Sequence, residues 1–93
     1  MKLAWSSSYK RSFKRLAKTN TELKKKILAT MEVLQNNPFS PQLKAHKLRG
    51  ILEGTWACTV DYKTRLLFDF VKNPTTGETE ILLIDIGSHE EVY

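Results

Sequence analysis

The spacing of apolar residues changes along this chain from a helical period to an alternating one. Up to Asn37, apolar residues recur every three or four positions, as one face of a helix requires. After Gly54 they alternate with polar residues, as in a strand with one buried face. The pattern therefore predicts helices first and strands afterwards, which is typical of an α+β fold.

Two helices are predicted in the first half of the chain. Serines at positions 6–8 can cap the first helix, and Thr19–Glu22 has the spacing of a capping box for the second, which ends near Pro38. Strands are predicted at Leu3–Trp5, Trp56–Val60, Arg65–Val71 and Glu80–Ile86. We predict a single domain, residues 1–93, in which two antiparallel helices pack on one face of an antiparallel sheet of about four strands, in the order β-α-α-β-β-β.

Charge is distributed unevenly along the chain, whose net charge is +5. Residues 1–50 hold 12 lysines and arginines against two glutamates, a balance of +10, whereas residues 51–93 carry −5. A basic half attracts polyanions and releases counterions when it binds nucleic acid. Basic residues on solvated helix faces would give the same charge distribution. If the charge does reflect a partner, it indicates a nucleic acid but does not distinguish RNA from DNA.

The cysteine and histidine content excludes several classes of site. Cys58 is the single cysteine, which excludes an internal disulfide, favours a reducing compartment and predicts a packed residue rather than a nucleophile. His46 and His89 lack helical metal-ligand spacing, and no glycine-rich phosphate loop is present, so no metal or other cofactor is predicted. The opening residues lack the apolar segment of a signal peptide, and no run is long enough for a membrane span. A cytoplasmic protein is predicted.

RNA cleavage without a metal needs a base for the 2′-hydroxyl, an acid for the leaving 5′-oxygen and a cation for the phosphorane. His89 is the best acid-base candidate, because an ordinary imidazole titrates near pH 6.5 and because it follows Gly87 at the end of a strand. Arg65 opens an apolar strand, where its guanidinium can grip a phosphate. Tyr93 can stack on a base or donate its hydroxyl hydrogen.

Each of these residues also has a purely structural interpretation. His89 is equally an exposed loop histidine. Arg65 can form an ion pair with Asp61 or Asp85. Val92–Tyr93 can be an apolar tail that docks on the sheet.

Four short motifs, taken in order, resemble those of the RelE/YafQ toxin superfamily, which also includes the HigB and ParE branches. They are His46–Gly50 (HKLRG), Gly54–Trp56 (GTW), Thr64–Phe68 (TRLLF) and Ile86–Tyr93 (IGSHEEVY). The Lys-Leu-Arg-Gly element resembles RelE, whereas the histidine before it and the Gly-Ser-His tail with its terminal aromatic resemble YafQ. The resemblance covers nearly the whole chain and implies a RelE-like fold.

The resemblance implies the toxin of a type II toxin–antitoxin system, a metal-independent endoribonuclease that cleaves mRNA on the ribosome and inhibits translation. It also implies a co-encoded antitoxin, with a monomeric toxin inside the hetero-oligomer. By position, Arg65 matches the arginine at the scissile phosphate, His89 the proposed acid-base histidine, Tyr93 the terminal aromatic and His46 the histidine of the central loop.

The chain departs from its relatives where they carry charge. Trp56 and Cys58 stand where RelE has two lysines, and Asp85 stands where the YafQ tail has an arginine. The additional histidine and aspartate of YafQ fall near Thr59 and Lys63, which cannot take the same roles. Other basic residues are therefore predicted to contact RNA: Lys44, Lys47, Arg49 and Lys63.

Two further functions are compatible with the same sequence. A ParE-like toxin would poison DNA gyrase without nuclease chemistry, although His89 and the aromatic tail disfavour it. A non-catalytic module that binds RNA or an antitoxin is favoured by the missing lysines. The basic half also predicts an acidic or amphipathic partner segment.

Overall fold

The computed structural model describes residues 1–93, apart from the side chain of Ile51. The strands are β1 (Leu3–Trp5), β2 (His46–Lys47), β3 (Trp56–Thr59), β4 (Thr64–Lys72) and β5 (Thr79–Ser88), and the helices are α1 (Ser7–Thr19), α2 (Thr21–Asn36) and α3 (His89–Val92). Short 3-10 turns at Pro41–Leu43 and Gly50–Leu52 flank β2. Among the residues described, no helix combines the length and apolar character that crossing a bilayer requires.

The strands form one mixed sheet in the order β1-β5-β4-β3-β2. The predicted antiparallel meander of β3, β4 and β5 is confirmed, and the predicted α+β arrangement with it. The sheet differs from the expectation in having five strands, with β1 parallel to β5. β2 is too short, at two residues, for an alternation to show. β1 can run parallel because two helices, rather than a tight turn, follow it.

The helix boundaries follow from capping side chains. Ser6 caps α1, as the serines there predict. The side chain of Asn20 accepts a hydrogen bond from the Leu23 N–H at 3.0 Å, so α2 begins one residue later than a capping box at Thr19 would place it. Asparagine is a stronger N-cap residue than threonine, which explains why Asn20 rather than Thr19 caps the helix. α2 ends at Asn36, as the proline two positions later predicts.

Helices α1 and α2 cover one side of the sheet, which we call the helix face, and enclose the main core. Its fully buried members include Tyr9, Ile27, Leu34, Cys58, Leu66, Phe68 and Leu83. The alternation predicted for β3 and β4 is confirmed, because Cys58 and Leu66 face the helices while Ala57 and Leu67 face the other side.

The other side of the sheet, which we call the open face, carries a much smaller apolar cluster. Its buried members are Ala57, Leu67 and Val92, with Leu48, Leu52 and Ile84 partly buried around them. Helix α3 brings Val92 onto the sheet, so of the two interpretations of the Val92–Tyr93 tail the docked one holds for Val92. Tyr93 stays 41% exposed. The open face therefore leaves room for a site beside α3.

Candidate active site

The open face brings together Arg65, His89 and Tyr93. Arg65 pairs with Gly87 across the β4–β5 ladder, so it lies beside the point where β5 passes into α3. A groove at this point, which we call the Arg65 groove, is lined by Tyr62, Lys63, Arg65, Ser88, His89 and Glu90. The Tyr93 ring packs edge-on against the His89 ring, with centroids 4.3 Å apart. Three of the four predicted catalytic residues are thus neighbours.

A capping box starts α3 and positions His89. Ser88 Oγ accepts a hydrogen bond from the Glu91 N–H at 3.2 Å, and Glu91 Oε1 accepts one from the Ser88 N–H at 2.9 Å. The bond from the Ser88 main chain, aided by its side chain and by Arg15, holds the pKa of Glu91 below its usual value. α3 lies so close to Gly87 that a β-carbon there would come within 3.3 Å of Glu91 Cβ. The expected loop histidine is therefore the exposed first residue of a helix.

Asp61 fixes the turn between β3 and β4. Its Oδ1 accepts hydrogen bonds from the N–H groups of Lys63 at 3.0 Å and Thr64 at 2.8 Å. Burial opposes ionisation of this carboxyl, but these hydrogen bonds and the nearby Lys26 outweigh it and hold the pKa of Asp61 below its usual value. The His89 N–H donates to the Lys63 carbonyl at 3.1 Å. A main-chain hydrogen bond therefore joins the turn to α3 at the Arg65 groove.

Main-chain carbonyl groups hold the guanidinium of Arg65. Its Nη1 donates to the carbonyl oxygens of Asp61 at 2.7 Å and Thr64 at 3.0 Å. A carbonyl carries no net charge, so these bonds orient the guanidinium without neutralising it. The result is an oriented positive charge that faces the groove.

The carboxylates proposed as ion-pair partners of Arg65 have other partners. The Asp61 carboxylate lies 3.8 Å from Lys26 Nζ, and Asp85 Oδ1 accepts a 2.6 Å hydrogen bond from Ser12 Oγ. The salt bridges of the described side chains do not include Arg65. The ion-pair interpretation of Arg65 is therefore wrong, and its charge is available to a bound anion.

Tyr93 lies one helical turn after His89, and its N–H donates to the His89 carbonyl at 3.1 Å. Partial burial raises the pKa of the Tyr93 hydroxyl, and the positive charge of Arg65 only partly offsets this. The hydroxyl is therefore protonated at neutral pH and acts as a hydrogen-bond donor. Tyr93 also lines a second groove with Leu48, Arg49 and Leu52, which we call the Tyr93 groove.

The residues predicted to contact RNA divide into two groups. Lys63 lines the Arg65 groove and Arg49 lines the Tyr93 groove, so both add positive charge beside His89. The other two, Lys44 and Lys47, lie at the β2 edge of the sheet, as does His46, the fourth predicted catalytic residue. Two strand spacings, roughly 10 Å, separate β2 from β4. Of the four residues predicted to contact RNA, Lys63 lines the groove that contains Arg65, and Arg49 lines the groove that contains Tyr93.

The two residues of β2 point to opposite faces of the sheet. His46 pairs with Ala57 and so shares the open face; its ring Nδ1 lies 3.1 Å from the Lys44 carbonyl and donates to it, because a carbonyl only accepts. Lys47 pairs with Trp56 on the helix face, with its Nζ 6.0 Å from the indole centroid. His46 is therefore on the same face as the site but at a distance from it.

Strand β3 offers small neutral side chains to the open face, namely Ala57 and Thr59, of which Thr59 pairs with Arg65. Cys58 is fully buried on the helix face. Burial raises the pKa of its thiol to about 12, against the opposing charge of Arg65, so its prediction as a packed residue is confirmed. Trp56 stacks near Phe68 with centroids 6.3 Å apart. Both positions are structural in this chain.

Sequence reasoning missed Tyr62 and the Ser88–Glu91 pair. Tyr62 is 90% exposed at the tip of the β3–β4 turn, where it lines the Arg65 groove. An aromatic residue between two alternating segments was the available signal. Ser88 and Glu91 have capping-box spacing, which marks the start of a helix.

The fold is similar to that of several solved toxins. A YoeB/ParE toxin from Agrobacterium tumefaciens gives a TM-score of 0.77 at 21% identity, covering 96% of this chain and 99% of the toxin. YafQ from E. coli strain BL21(DE3) gives 0.77 at 18% identity, covering 98% and 96%. A chain of the YoeB–YefM complex from Staphylococcus aureus gives a TM-score of 0.72 at 18% identity, covering 96% of this chain and 97% of that one. The molecule thus has the fold of the small YoeB and YafQ toxins.

A sequence-level comparison assigns the family. The family model described as the bacterial toxin of type II toxin–antitoxin system, YafQ, matches residues 1–93. This chain belongs to the YafQ family of bacterial toxins of type II toxin–antitoxin systems, so the family predicted from its motifs is confirmed. No curated protein sequence matches it.

Proposed function

We propose that this toxin is an endoribonuclease, an mRNA interferase that cleaves messages on the ribosome and thereby inhibits translation. The observation that carries the proposal is the guanidinium of Arg65, held by carbonyl groups and facing a groove beside His89. The guanidinium has no anionic partner among the described side chains. The phosphate of an RNA strand would be such a partner, and its two free oxygens can accept paired hydrogen bonds from a guanidinium.

In the proposed reaction the 2′-oxygen attacks the adjacent phosphorus and the bond to the 5′-oxygen breaks, giving a 2′,3′-cyclic phosphate and a 5′-hydroxyl. Near neutral pH the guanidinium of Arg65 stays charged and the raised pKa keeps Tyr93 protonated. Of the three residues, His89 is therefore the one that accepts a proton, and we assign it as general base. Arg65 stabilises the charged phosphorane, and the Tyr93 hydroxyl gives its proton to the leaving 5′-oxygen and regains one from water.

The remaining basic residues receive supporting roles. Lys63 and Arg49 flank the reacting centre and are assigned to the neighbouring phosphates. His46, with Lys44 and Lys47 beside it, is assigned to RNA further along the strand rather than to the scissile phosphate. Each proton transfer is assigned to a side chain of the toxin, so the proposal includes no metal.

The test is cleavage of a defined message by the purified toxin in a translation extract, with mapping of the new 5′ ends. Arg65→Ala is expected to lower the rate about 10²- to 10³-fold, and His89→Ala about 10²- to 10⁴-fold. Lys72→Ala removes an exposed cation at the other end of β4 from Arg65 and serves as the matched control, with no change expected. An intact message, or wild-type rates in both site variants, would contradict the proposal.

We also propose that a co-encoded antitoxin binds and neutralises this toxin in the cytoplasm, with one toxin molecule per binding unit of the hetero-oligomer. Solved relatives include a DinJ–YafQ toxin–antitoxin complex from E. coli and a YoeB–YefM complex. The charge of +10 on residues 1–50 favours an acidic or amphipathic antitoxin segment. Expression with the neighbouring gene should yield a stable complex; a toxin that purifies alone would count against this.

A second candidate function is RNA or antitoxin binding without catalysis. It is favoured by Ala57 and Thr59, which give the open face of β3 no cation. This alternative predicts salt-sensitive RNA binding without product. A supercoiling assay tests the gyrase-poison alternative, because only such a poison traps cleaved DNA.

A further inference from the structure

Two exposed tyrosines lie on either side of the proposed reacting centre. Tyr62, 90% exposed, lines the Arg65 groove from the β3–β4 turn. Tyr93, 41% exposed, lines the Tyr93 groove. His89 lies between them, since it lines the first groove and contacts the Tyr93 ring at 4.3 Å. An RNA strand with its phosphate on Arg65 would meet one aromatic ring in each direction.

The backbone of Tyr62 is fixed although its ring is free. Its carbonyl oxygen lies 3.4 Å from Arg65 Nη1, which donates to it. Asp61, the residue before it, accepts hydrogen bonds at Oδ1 from the N–H groups of Lys63 and Thr64, the two residues after it. A tyrosine ring has few rotatable bonds, so an anchored tyrosine gives contact area at a small entropic cost.

The neighbours of Tyr62 distinguish it from an ordinary exposed aromatic residue. A single exposed aromatic ring is common on protein surfaces and does not by itself indicate a binding site. Tyr62, however, is followed by Lys63 and shares its groove with Arg65, both of which carry positive charge. A cationic groove with an aromatic ring at its edge is the combination that binds single-stranded nucleic acid, with the phosphates on the cations and a base on the ring.

We infer that Tyr62 stacks on the base flanking the scissile phosphate, on the side opposite Tyr93. This inference rests on the proposed function and extends it to the path of the substrate. The substrate is an unpaired stretch of RNA that runs from Tyr62 over Arg65 and His89 to Tyr93 and Arg49. Stacking is tolerant of base identity, so Tyr62 holds the strand without reading its sequence.

The test compares Tyr62→Ala with Tyr62→Phe, which keeps the ring, and with Phe39→Ala. The last removes a 59% exposed ring that stacks on Phe70 and packs edge-on against Trp56, both on the helix face. Affinity is measured for a 2′-O-methyl RNA with 2-aminopurine beside the target linkage, and cleavage is measured in the translation extract. Tyr62→Ala is expected to weaken binding about 5- to 150-fold and to abolish the fluorescence quenching of the stacked base. Tyr62→Phe and Phe39→Ala should behave as wild type.

The outcomes separate the two proposals. Cleavage that is equal in Tyr62→Ala and wild type, with equal quenching, overturns the stacking role and leaves the nuclease proposal standing. Tyr62-dependent binding without any product supports the stacking role and overturns the nuclease proposal. A wild-type toxin that neither binds nor cleaves RNA overturns both.

Discussion

The two faces of the sheet carry different parts of this toxin's chemistry. On the helix face, α1 and α2 enclose a core of large fully buried side chains. On the open face, three buried residues and the four-residue α3 surround grooves lined by charged and aromatic groups. The same strands serve both faces, because Leu66 and Leu67 of β4 point to opposite sides. Residues of one strand that face the helices therefore contribute mainly to stability, whereas their neighbours on the open face shape the site. Substitutions can change the two properties separately.

The largest expected effect comes from truncating these adjacent leucines. Leu66 is 0% and Leu67 is 3% exposed. Leu66→Ala opens a cavity in the main core and should cost about 3 to 5 kcal/mol of unfolding free energy, whereas Leu67→Ala, in the small cluster that can collapse, should cost about 2 to 3 kcal/mol. Urea denaturation measures both. The folded Leu67→Ala toxin should lose more activity than Leu66→Ala; the reverse ranking would refute the division between faces.

A smaller effect is expected from Glu91, which ties α3 together. Glu91→Ala removes the acceptor for the Ser88 N–H and the contact with Arg15 at 3.5 Å. Glu91→Gln keeps the capping acceptor and loses only the ion pair. Glu91→Ala should lower cleavage while the free energy of unfolding changes by no more than about 1.5 kcal/mol, and Glu91→Gln should retain activity. Equal loss in both variants would assign the effect to charge instead of helix capping.

Acid should weaken the turn that supports the open face. Because the folded-state pKa of Asp61 is lowered, its contribution to stability is present above the unfolded carboxyl pKa and is lost as pH falls through the folded value. The loss begins as pH falls through the ordinary carboxyl range near about 4 and continues below it, and it amounts to about 1 kcal/mol or less at this partly exposed site. Asp61→Asn keeps an oxygen acceptor for Lys63 and Thr64 and should show a flatter pH dependence in urea titrations. An unchanged slope would exclude Asp61 as the source.

The smallest effect is expected on the helix face at Tyr9. Its ring is fully buried, its hydroxyl has no hydrogen-bond partner among the described residues, and burial raises its pKa. Tyr9→Phe removes an unsatisfied polar atom and keeps the ring, so unfolding free energy should stay the same or rise by up to about 1 kcal/mol. Calorimetry measures the change. A loss of stability would indicate that the hydroxyl has a partner, such as a buried water.

Most of the fold was predictable because a long helix or strand repeats its apolar period several times within a short stretch of sequence. The stripe of α2 and the alternation of β3 and β4 each predicted an element and its buried face. β2 and α3 have two and four residues, too few for a period to show. The parallel pairing of β1 depends on contacts with β5, at the other end of the chain, which no local pattern encodes.

The sequence predicted which residues form the site, but not their hydrogen bonds or the distances between them. The family resemblance singled out Arg65, His89 and Tyr93, which the structure shows to be neighbours. It did not indicate that Arg65 is held by carbonyl groups, because those bonds depend on the geometry of the turn after Asp61. Nor could it separate His46 from the cluster, since that distance follows from the strand order. The roles of these residues remain predictions that the cleavage assays test.

The hydrogen bond from the His89 N–H to the Lys63 carbonyl bears on how such toxins diverge. It joins two main-chain groups, and the bonds that orient Arg65 also end on main-chain oxygens. Any residue except proline at positions 63 and 89 preserves these main-chain hydrogen bonds. Relatives can therefore differ in the side chains that line these grooves and still keep the same main-chain conformation. A lineage under pressure from a new antitoxin or a new target can thus change its surface chemistry without refolding its site.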